Sequence, residues 1–200
     1  MRAVARVASN EGRRVTPRAG ALLCVLLASC VDEYRLAGSG STLQAAGGRA
    51  VDFSARSVGG STFRLSDYLG RDVILLNFWA TYCGPCLAEL PHLRELYQAN
   101  KRRRFIVVGI AMDGPESISD VPSFVSRNGL TFPVVLDEDS HIASLYNPRK
   151  SAPFTVIIGR DGRVARVHEG YNPGDEDQIA ADVAALLGPM SPSMSTSFAN

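Results

Sequence analysis

Uninterrupted apolar runs alternate with helically spaced segments in the middle of the chain. Residues 72–79 and 105–111 are almost entirely apolar and have the length of strands, which is typical of strands covered on both faces in a mainly parallel sheet. Between them, residues 85–99 carry leucines at helical spacing, which predicts a helix with one buried face. The pattern therefore predicts two buried strands joined by a helix at the centre of a domain.

Shorter segments of the same kinds flank this unit. Residues 51–57 and 61–65 predict a hairpin around Gly59 and Gly60. The remaining predicted elements are a helix at 118–127, a strand at 132–136, a short helix at 140–146, strands at 154–158 and 164–169, and a closing helix at 175–187. This order predicts a three-layer α/β/α domain with a central mixed sheet and an N-terminal β-hairpin extension.

The first 31 residues have the layout of a secretory signal. Residues 1–18 carry five arginines and one acidic residue, and an uncharged run follows from 19 to 31. The apolar part of this run, residues 19–28, is about half of the roughly 20 residues that a membrane-spanning helix needs. Residues 1–29 are therefore predicted to be a cleavable signal peptide.

The end of the apolar run resembles the lipobox of bacterial lipoproteins. The stretch that carries this resemblance is Leu27-Ala28-Ser29-Cys30. It implies that Cys30 is diacylated and becomes the N-terminus of the mature chain, and two acyl chains would anchor that chain stably to a membrane. The alternative is a plain signal peptide cut near Ser29, which would leave Cys30 as a free thiol.

Composition separates one folded domain from the two ends of the chain. Residues 30–49 are rich in small and polar residues and predict a flexible tether, and residues 188–200 predict a disordered tail. The folded domain is expected at residues 50–187. With 21 basic and 20 acidic residues, the chain has a formal net charge of +1 and lacks the positive footprint of a nucleic-acid-binding protein.

Two cysteines stand where the first buried strand passes into the following helix, in the sequence Cys83-Gly84-Pro85-Cys86. Unpaired N–H groups and the positive end of the dipole at a helix N-terminus stabilise a thiolate, so Cys83 is expected to be the attacking thiol. Cys86 lies one turn deeper on the same face and is expected to resolve the mixed disulfide. Pro85 suits the first helical turn because it has no N–H to leave unpaired.

Other interpretations of the cysteine pair fit the sequence less well. A zinc site needs four ligands, but the chain has one such pair and three histidines at no ligand-like spacing, so no metal is predicted. A c-type haem attachment would need His where Leu87 stands. A peroxidatic cysteine of the peroxiredoxin type would follow a Pro and a Thr, where this chain has Leu76 and Ala80. A purely structural disulfide stays possible, although so short a loop constrains the unfolded chain weakly.

The residues around the cysteines resemble a known superfamily. The stretches that carry the resemblance are Phe78-Trp-Ala-Thr-Tyr-Cys-Gly-Pro-Cys86, Glu89-Leu-Pro91, Phe132-Pro-Val-Val-Leu-Asp137 and Pro153-Phe-Thr155. They are similar to the thioredoxin superfamily, and residues 50–187 as a whole resemble its extracytoplasmic TlpA/ResA-like branch. The resemblance implies a thioredoxin-like fold.

The resemblance also implies roles for residues beyond the cysteines. Pro153 would be a cis-proline whose loop faces the disulfide, with the backbone of Ala152 ready to pair with an extended client. Glu89, three residues past Cys86, would carry the proton of that thiol. The residues expected to contact a client are Trp79, Tyr82, Gly84, Pro85 and Ala152.

Two positions depart from the pattern of the superfamily. Asn77 stands where thioredoxin has a buried aspartate, which favours Glu89 as the proton carrier. Tyr82 replaces the tryptophan that is usual just before the first cysteine, and so changes the surface that a client would meet.

These features together predict a membrane-tethered thiol-disulfide oxidoreductase in the bacterial cell envelope, outside the cytoplasm. The Gly-Pro dipeptide between the cysteines is that of thioredoxin, at about −270 mV against about −120 mV for the oxidant DsbA, which favours a reductant of protein disulfides. No cofactor is expected beyond the cysteine pair. The resemblance implies a membrane reductase of the DsbD or CcdA type as electron donor and a role in cytochrome c maturation. The alternatives are a non-catalytic binding module and a thiol peroxidase.

Overall fold

The computed structural model describes residues 47–189. The predicted signal peptide, the lipidation site at Cys30 and nearly all of the predicted tether and tail lie outside these residues. The strands and helices follow in the order β1 (Ser54–Arg56), β2 (Thr62–Arg64), β3 (Val73–Trp79), α1 (Gly84–Asn100), β4 (Phe105–Ala111), α2 (Val121–Arg127), β5 (Val134–Leu136), α3 (His141–Tyr146), β6 (Phe154–Ile158), β7 (Val164–Glu169) and α4 (Asp175–Leu187).

The central sheet is mixed, and its strands lie in the order β5-β4-β3-β6-β7. Strands β3, β4 and β5 are parallel, whereas β6 runs antiparallel to both β3 and β7. Strands β1 and β2 form a separate antiparallel hairpin, and a single bridge between Ser57 and Val135 connects this region to β5. The predicted fold class, with its hairpin extension, is confirmed.

Two apolar layers cover the central sheet. Every residue of β3 and β4 is buried. Helices α1, α2 and α4 pack on one face, against side chains such as Leu75 and Val107. Helix α3 and the hairpin pack on the other face, against Ile74 and Val108. Fully burying one side chain of this size contributes about 1.5–3 kcal/mol, so the core firmly anchors the end of β3, where the cysteine loop begins.

Two predicted elements differ from the observed ones at prolines. Strand β5 begins at Val134 rather than at residue 132, because Pro133 has no N–H to offer a neighbouring strand. The predicted helix at 118–127 divides into a 3-10 turn, Ile118–Asp120, and helix α2. Pro122 explains the division, since it cannot donate to the carbonyl four residues earlier.

Candidate active site

The two cysteines of the central motif form a disulfide at the N-terminus of α1, with their Cα atoms 5.3 Å apart. Cys83 is the N-cap of the helix, and its sulfur accepts a hydrogen bond from the backbone N–H of Cys86 at 3.3 Å. Cys83 is half-buried, whereas Cys86 is completely buried. A reagent or protein approaching from solvent therefore meets Cys83 first.

The helix N-terminus provides the electrostatic environment of Cys83. A sulfur at the N-cap lies close to N–H groups that have no partner within the helix, and to the positive end of the helix dipole. Pro85 stands in the first turn without leaving an N–H unpaired. After reduction, the same N–H of Cys86 would face a thiolate, which is a better acceptor than a disulfide sulfur.

The Ala152–Pro153 peptide bond is cis, as the resemblance implied. Strand β6 pairs with β3 up to the Phe78–Phe154 pair. Pro153 therefore lies at the same end of these strands as the loop that leads to Cys83. Pro153 is buried and Ala152 is exposed. The backbone before the cis bond is thus accessible at the end of the sheet that adjoins the cysteine loop.

The predicted client surface is only partly exposed. Tyr82 is 71% exposed, and Gly84 and Pro85 are also exposed. Trp79 is different: it is fully buried and packs on Phe124, with ring centroids 5.1 Å apart. The expectation that Trp79 contacts a client is therefore wrong, because this last residue of β3 turns its ring into the layer under α2.

A buried polar cluster surrounds Glu89, which is only 1% exposed. The side-chain amide of Asn77 donates to Glu89 Oε2 at 2.8 Å and to Thr155 Oγ1 at 3.0 Å. The hydroxyl of Thr155 donates to Glu89 Oε1 at 3.4 Å. Asn77 and Thr155 are direct neighbours across β3 and β6, so the sheet register creates this cradle for the carboxyl group.

Burial controls the protonation of Glu89. The pKa of Glu89 is raised to about 7, mainly by desolvation and to a smaller extent by the charge of Asp175. The hydrogen bonds from Asn77 and Thr155 act in the opposite direction and lower it. At neutral pH the group therefore populates both the acid and the carboxylate. A carboxyl group in this condition can accept and release a proton, which the resolving thiol needs.

Two members of the site are not predicted by the sequence patterns. Thr155, part of the stretch Pro153-Phe-Thr155, hydrogen-bonds Glu89, and Asp113 is the second such residue. Asp113 is fully buried, and its carboxylate accepts from the backbone N–H of Thr81 at 3.1 Å and from the Thr81 hydroxyl. Polar residues inside or directly after apolar strands were the signal that could have indicated both.

Neither a metal site nor a membrane-crossing helix is found in residues 47–189. No group of three or more His, Cys, Asp or Glu side chains in this range is arranged to hold a metal ion. Among the same residues, no helix combines the length and the apolar character needed to cross a membrane.

Comparison with known proteins points to the same chemistry. A profile of the AhpC/TSA family matches residues 46–167. The thiol-disulfide oxidoreductase ResA of Halalkalibacterium halodurans is 34% identical over 148 residues, which are 74% of this chain and 80% of the relative.

Solved structures agree with this similarity. A chain from Chlorobium tepidum assigned as a DsbE-type thiol:disulfide interchange protein superimposes with a TM-score of 0.66 at 30% identity, covering 72% of this chain and 99% of that one. A secreted Mycobacterium tuberculosis disulfide oxidoreductase homologous to E. coli DsbE gives a TM-score of 0.57 at 30% identity, covering 67% and 96%.

Proposed function

This chain belongs to the AhpC/TSA family and is a thiol-disulfide oxidoreductase, and from that premise we propose that it reduces disulfides in protein clients outside the bacterial cytoplasm. The observation that carries the proposal is the placement of a half-buried sulfur at a helix N-terminus, with a buried partner sulfur in the first turn and a buried acid one turn further along the same helix. Such a site supplies a nucleophile, a resolving thiol and a proton carrier.

The proposed cycle starts from the reduced pair. The thiolate of Cys83 attacks one sulfur of a client disulfide, so that a mixed disulfide forms and the other client sulfur leaves as a thiolate. Cys86 then gives its proton to Glu89 and attacks the sulfur of Cys83. The bond between Cys83 and the client breaks, the client leaves with both sulfurs reduced, and the protein keeps the disulfide. Two electrons pass from the cysteine pair to the client.

Exposed groups around Cys83 would hold the client. Tyr82, Gly84 and Pro85 are exposed next to Cys83 in the chain, and Ala152 is exposed at the end of the sheet where the cysteine loop begins. An extended client segment pairing with Ala152 would bring its disulfide to Cys83, as in strand addition to a sheet edge. Their exposure supports this role, whereas Trp79 is left out of it.

The cellular setting belongs to the same proposal. Cys30 would carry the lipid anchor that holds the domain outside the cytoplasm, and a secreted relative supports this location. A membrane reductase of the DsbD or CcdA type would return the disulfide to the dithiol. Cytochrome c maturation is the proposed process, because a reductant in this compartment can keep apocytochrome thiols available for haem attachment.

Insulin reduction and the redox potential test the proposed activity. We expect the reduced protein to cleave the interchain disulfides of insulin, and Cys83→Ser to abolish this because no other sulfur of the pair is accessible. Cys86→Ala should retain the attack and accumulate a mixed disulfide, which identifies the client. A potential near that of DsbA would contradict the reductant assignment. Peroxide consumption as fast as disulfide reduction would favour a peroxidase instead.

A further inference from the structure

Glu89 can accept the proton of Cys86 only as a carboxylate, so a protonated Glu89 first has to lose its proton. The groups that touch the carboxyl group, Asn77 and Thr155, do not take up protons near neutral pH. The side chain is only 1% exposed, so direct transfer to bulk water is restricted. An exit path from Glu89 is therefore a requirement of the mechanism.

A groove between α1 and α4 leads from Glu89 toward solvent. Its volume is about 270 Å³, which gives room for several water molecules at roughly 30 Å³ each. The groups that can be charged along its wall are Glu89, His92, Glu95, Glu176 and Asp177. Glu89 and His92 are three residues apart on α1, so both side chains project from the same face of the helix.

His92 stands in this groove against an anchored carboxylate. Its Nε2 lies 4.0 Å from Glu176 Oε1, while Glu176 Oε2 accepts from the hydroxyl of Tyr171 at 2.7 Å and from the backbone N–H of Gly174 at 2.8 Å. The hydrogen bond from Tyr171 lowers the pKa of Glu176, so this group stays a carboxylate. The imidazole of His92 thus stands beside a fixed carboxylate at the wall of the groove.

Electrostatic coupling connects Glu89 with the same cluster. The charge of Asp175, the first residue of α4, contributes to the raised pKa of Glu89. Desolvation, the hydrogen bond to Glu176 and the charges of Glu176 and Glu89 raise the pKa of Tyr171 to about 12, so its hydroxyl donates and does not ionise. The groups that face Glu89 and His92 from α1, α4 and the segment before α4 are thus His92, Glu95, Asp175, Glu176, Asp177 and Tyr171.

We propose that the groove between α1 and α4 is the proton exit of Glu89, and that His92, held beside Glu176, relays the proton between Glu89 and bulk solvent. This inference rests on the proposed function. In the resolving step the proton of Cys86 passes to Glu89, and the sulfur of Cys86 bonds to that of Cys83. Glu89 then returns to the carboxylate by passing its proton through groove water to neutral His92, and the imidazolium releases it to solvent.

A second polar route has to be distinguished from the groove. His168 is the cross-strand neighbour of Thr155, and its Nε2 lies 3.0 Å from Asp182 Oδ2. The alternative exit would run to solvent along the row formed by Asn77, Thr155 and His168. His92 is favoured because it shares one groove with Glu89, but His168→Gln provides the matched comparison.

The test uses Ellman's reagent as the disulfide probe, mixed with the reduced full-length protein in weak buffer near pH 6. Most Glu89 side chains start protonated at this pH because their pKa is about 7. Resolution then has to wait until Glu89 loses this proton, so its rate reports the exit. The first thionitrobenzoate released reports attack by Cys83, and the second reports resolution by Cys86. We expect His92→Gln to leave the first phase unchanged and to slow the second roughly tenfold. This is less than the roughly 100-fold or more that a direct acid–base group contributes, because groove water still offers a slower route. Added imidazole should restore the rate. Glu95→Gln, on the same groove, and His168→Gln should behave as the wild type.

Filling the groove gives a second variant that does not touch the histidine. Ala180→Leu adds volume to the groove wall and should slow the second phase in the same way, while Ala181→Leu, which points to solvent, should not. The relay is refuted if His92→Gln resolves at the wild-type rate, if imidazole restores nothing, or if His168→Gln is the slow variant. A wild-type protein that reduces no disulfide would instead refute the proposed function.

Discussion

At the scale of single residues, the balance at Glu89 decides what the site can do. Its pKa of about 7 exceeds the ordinary value of 4.5 by an amount that corresponds to about 3 kcal/mol. Desolvation therefore outweighs two hydrogen bonds that favour the carboxylate. The amide of Asn77 suits both protonation states, since it can donate to a carboxylate or accept from an acid, and the chain gains this versatility by having no aspartate there.

Removing the side-chain amide of Asn77 should shift the pH dependence of disulfide reduction to higher pH. Asn77→Ala deletes a donor to the carboxylate, so the pKa of Glu89 should rise further and the acidic limb of the rate profile should shift upward by about one pH unit. Thr155→Val should shift it less, because its hydrogen bond is longer. Glu89→Gln should remove the limb. Identical profiles for Asn77→Ala and the wild type would show that Asn77 does not set the protonation of Glu89.

The residue scale is also where sequence reasoning succeeds and fails most clearly. The spacing of Cys83, Cys86 and Glu89 follows from helical geometry, so their common face is readable from the sequence. The contact of Glu89 with Thr155 joins residues 66 positions apart and depends on the register between β3 and β6. A register of this kind is fixed by packing of the whole sheet, and a local pattern does not contain it.

At the scale of elements, β4 shapes the position of the strand that carries the site. Gly109 lies beside Asn77 in the parallel ladder, and a Cβ there would lie 3.0 Å from Trp79 Nε1 and 3.2 Å from the Phe132 ring. The missing side chain leaves room for the indole of Trp79, which packs at the end of β3. The buried ring of Trp79 thus stabilises the point where β3 passes into the cysteine loop.

Gly109→Ala should therefore destabilise the fold. The added methyl group has to displace packed aromatic rings, which costs about 1–3 kcal/mol for overpacking in a core. Urea unfolding of the oxidised protein measures the difference. Gly59→Ala is the matched control, because the nearest atom to its Cβ is 3.8 Å away and its backbone is not left-handed. Equal midpoints for the two variants would mean that the sheet adjusts around Gly109 without loss.

At the scale of the whole molecule, the order of elements was predictable because each apolar run has the length of one strand or helix. Helix α4 and strand β4 have their predicted bounds, as buried segments with clear turn residues around them. The division of the helix before residue 128 and the shortening of β5 depend on single prolines. The burial of Trp79 is not predictable from the local sequence either, because it depends on the space left by Gly109 in β4.

The buried acid also gives the fold a pH dependence. The folded state keeps Glu89 protonated up to about pH 7, whereas the unfolded chain releases that proton near 4.5. Between these values the folded state binds more protons, so stability should fall as pH rises through this window, by up to about 3 kcal/mol from this group.

Urea unfolding of the oxidised protein at pH 4.5 and pH 8 measures this effect. The gain in stability from Glu89→Gln over the wild type should be larger at pH 8, because the glutamine has no charge to bury. Glu95→Gln, at an exposed position of the same helix, should show no such pH dependence. A gain for Glu89→Gln that is equal at the two pH values would contradict the raised pKa of Glu89.

The unequal exposure of the two sulfurs has a consequence for damage by oxidants. An oxidant in solution reaches Cys83 and converts it to a sulfenic acid, while Cys86 stays covered. Cys86 is already within bonding distance, so the sulfenic acid closes to a disulfide with loss of water before a second oxygen can add. The pair therefore shields itself from irreversible overoxidation, and the product of such damage is the same disulfide that forms when the dithiol reduces a client.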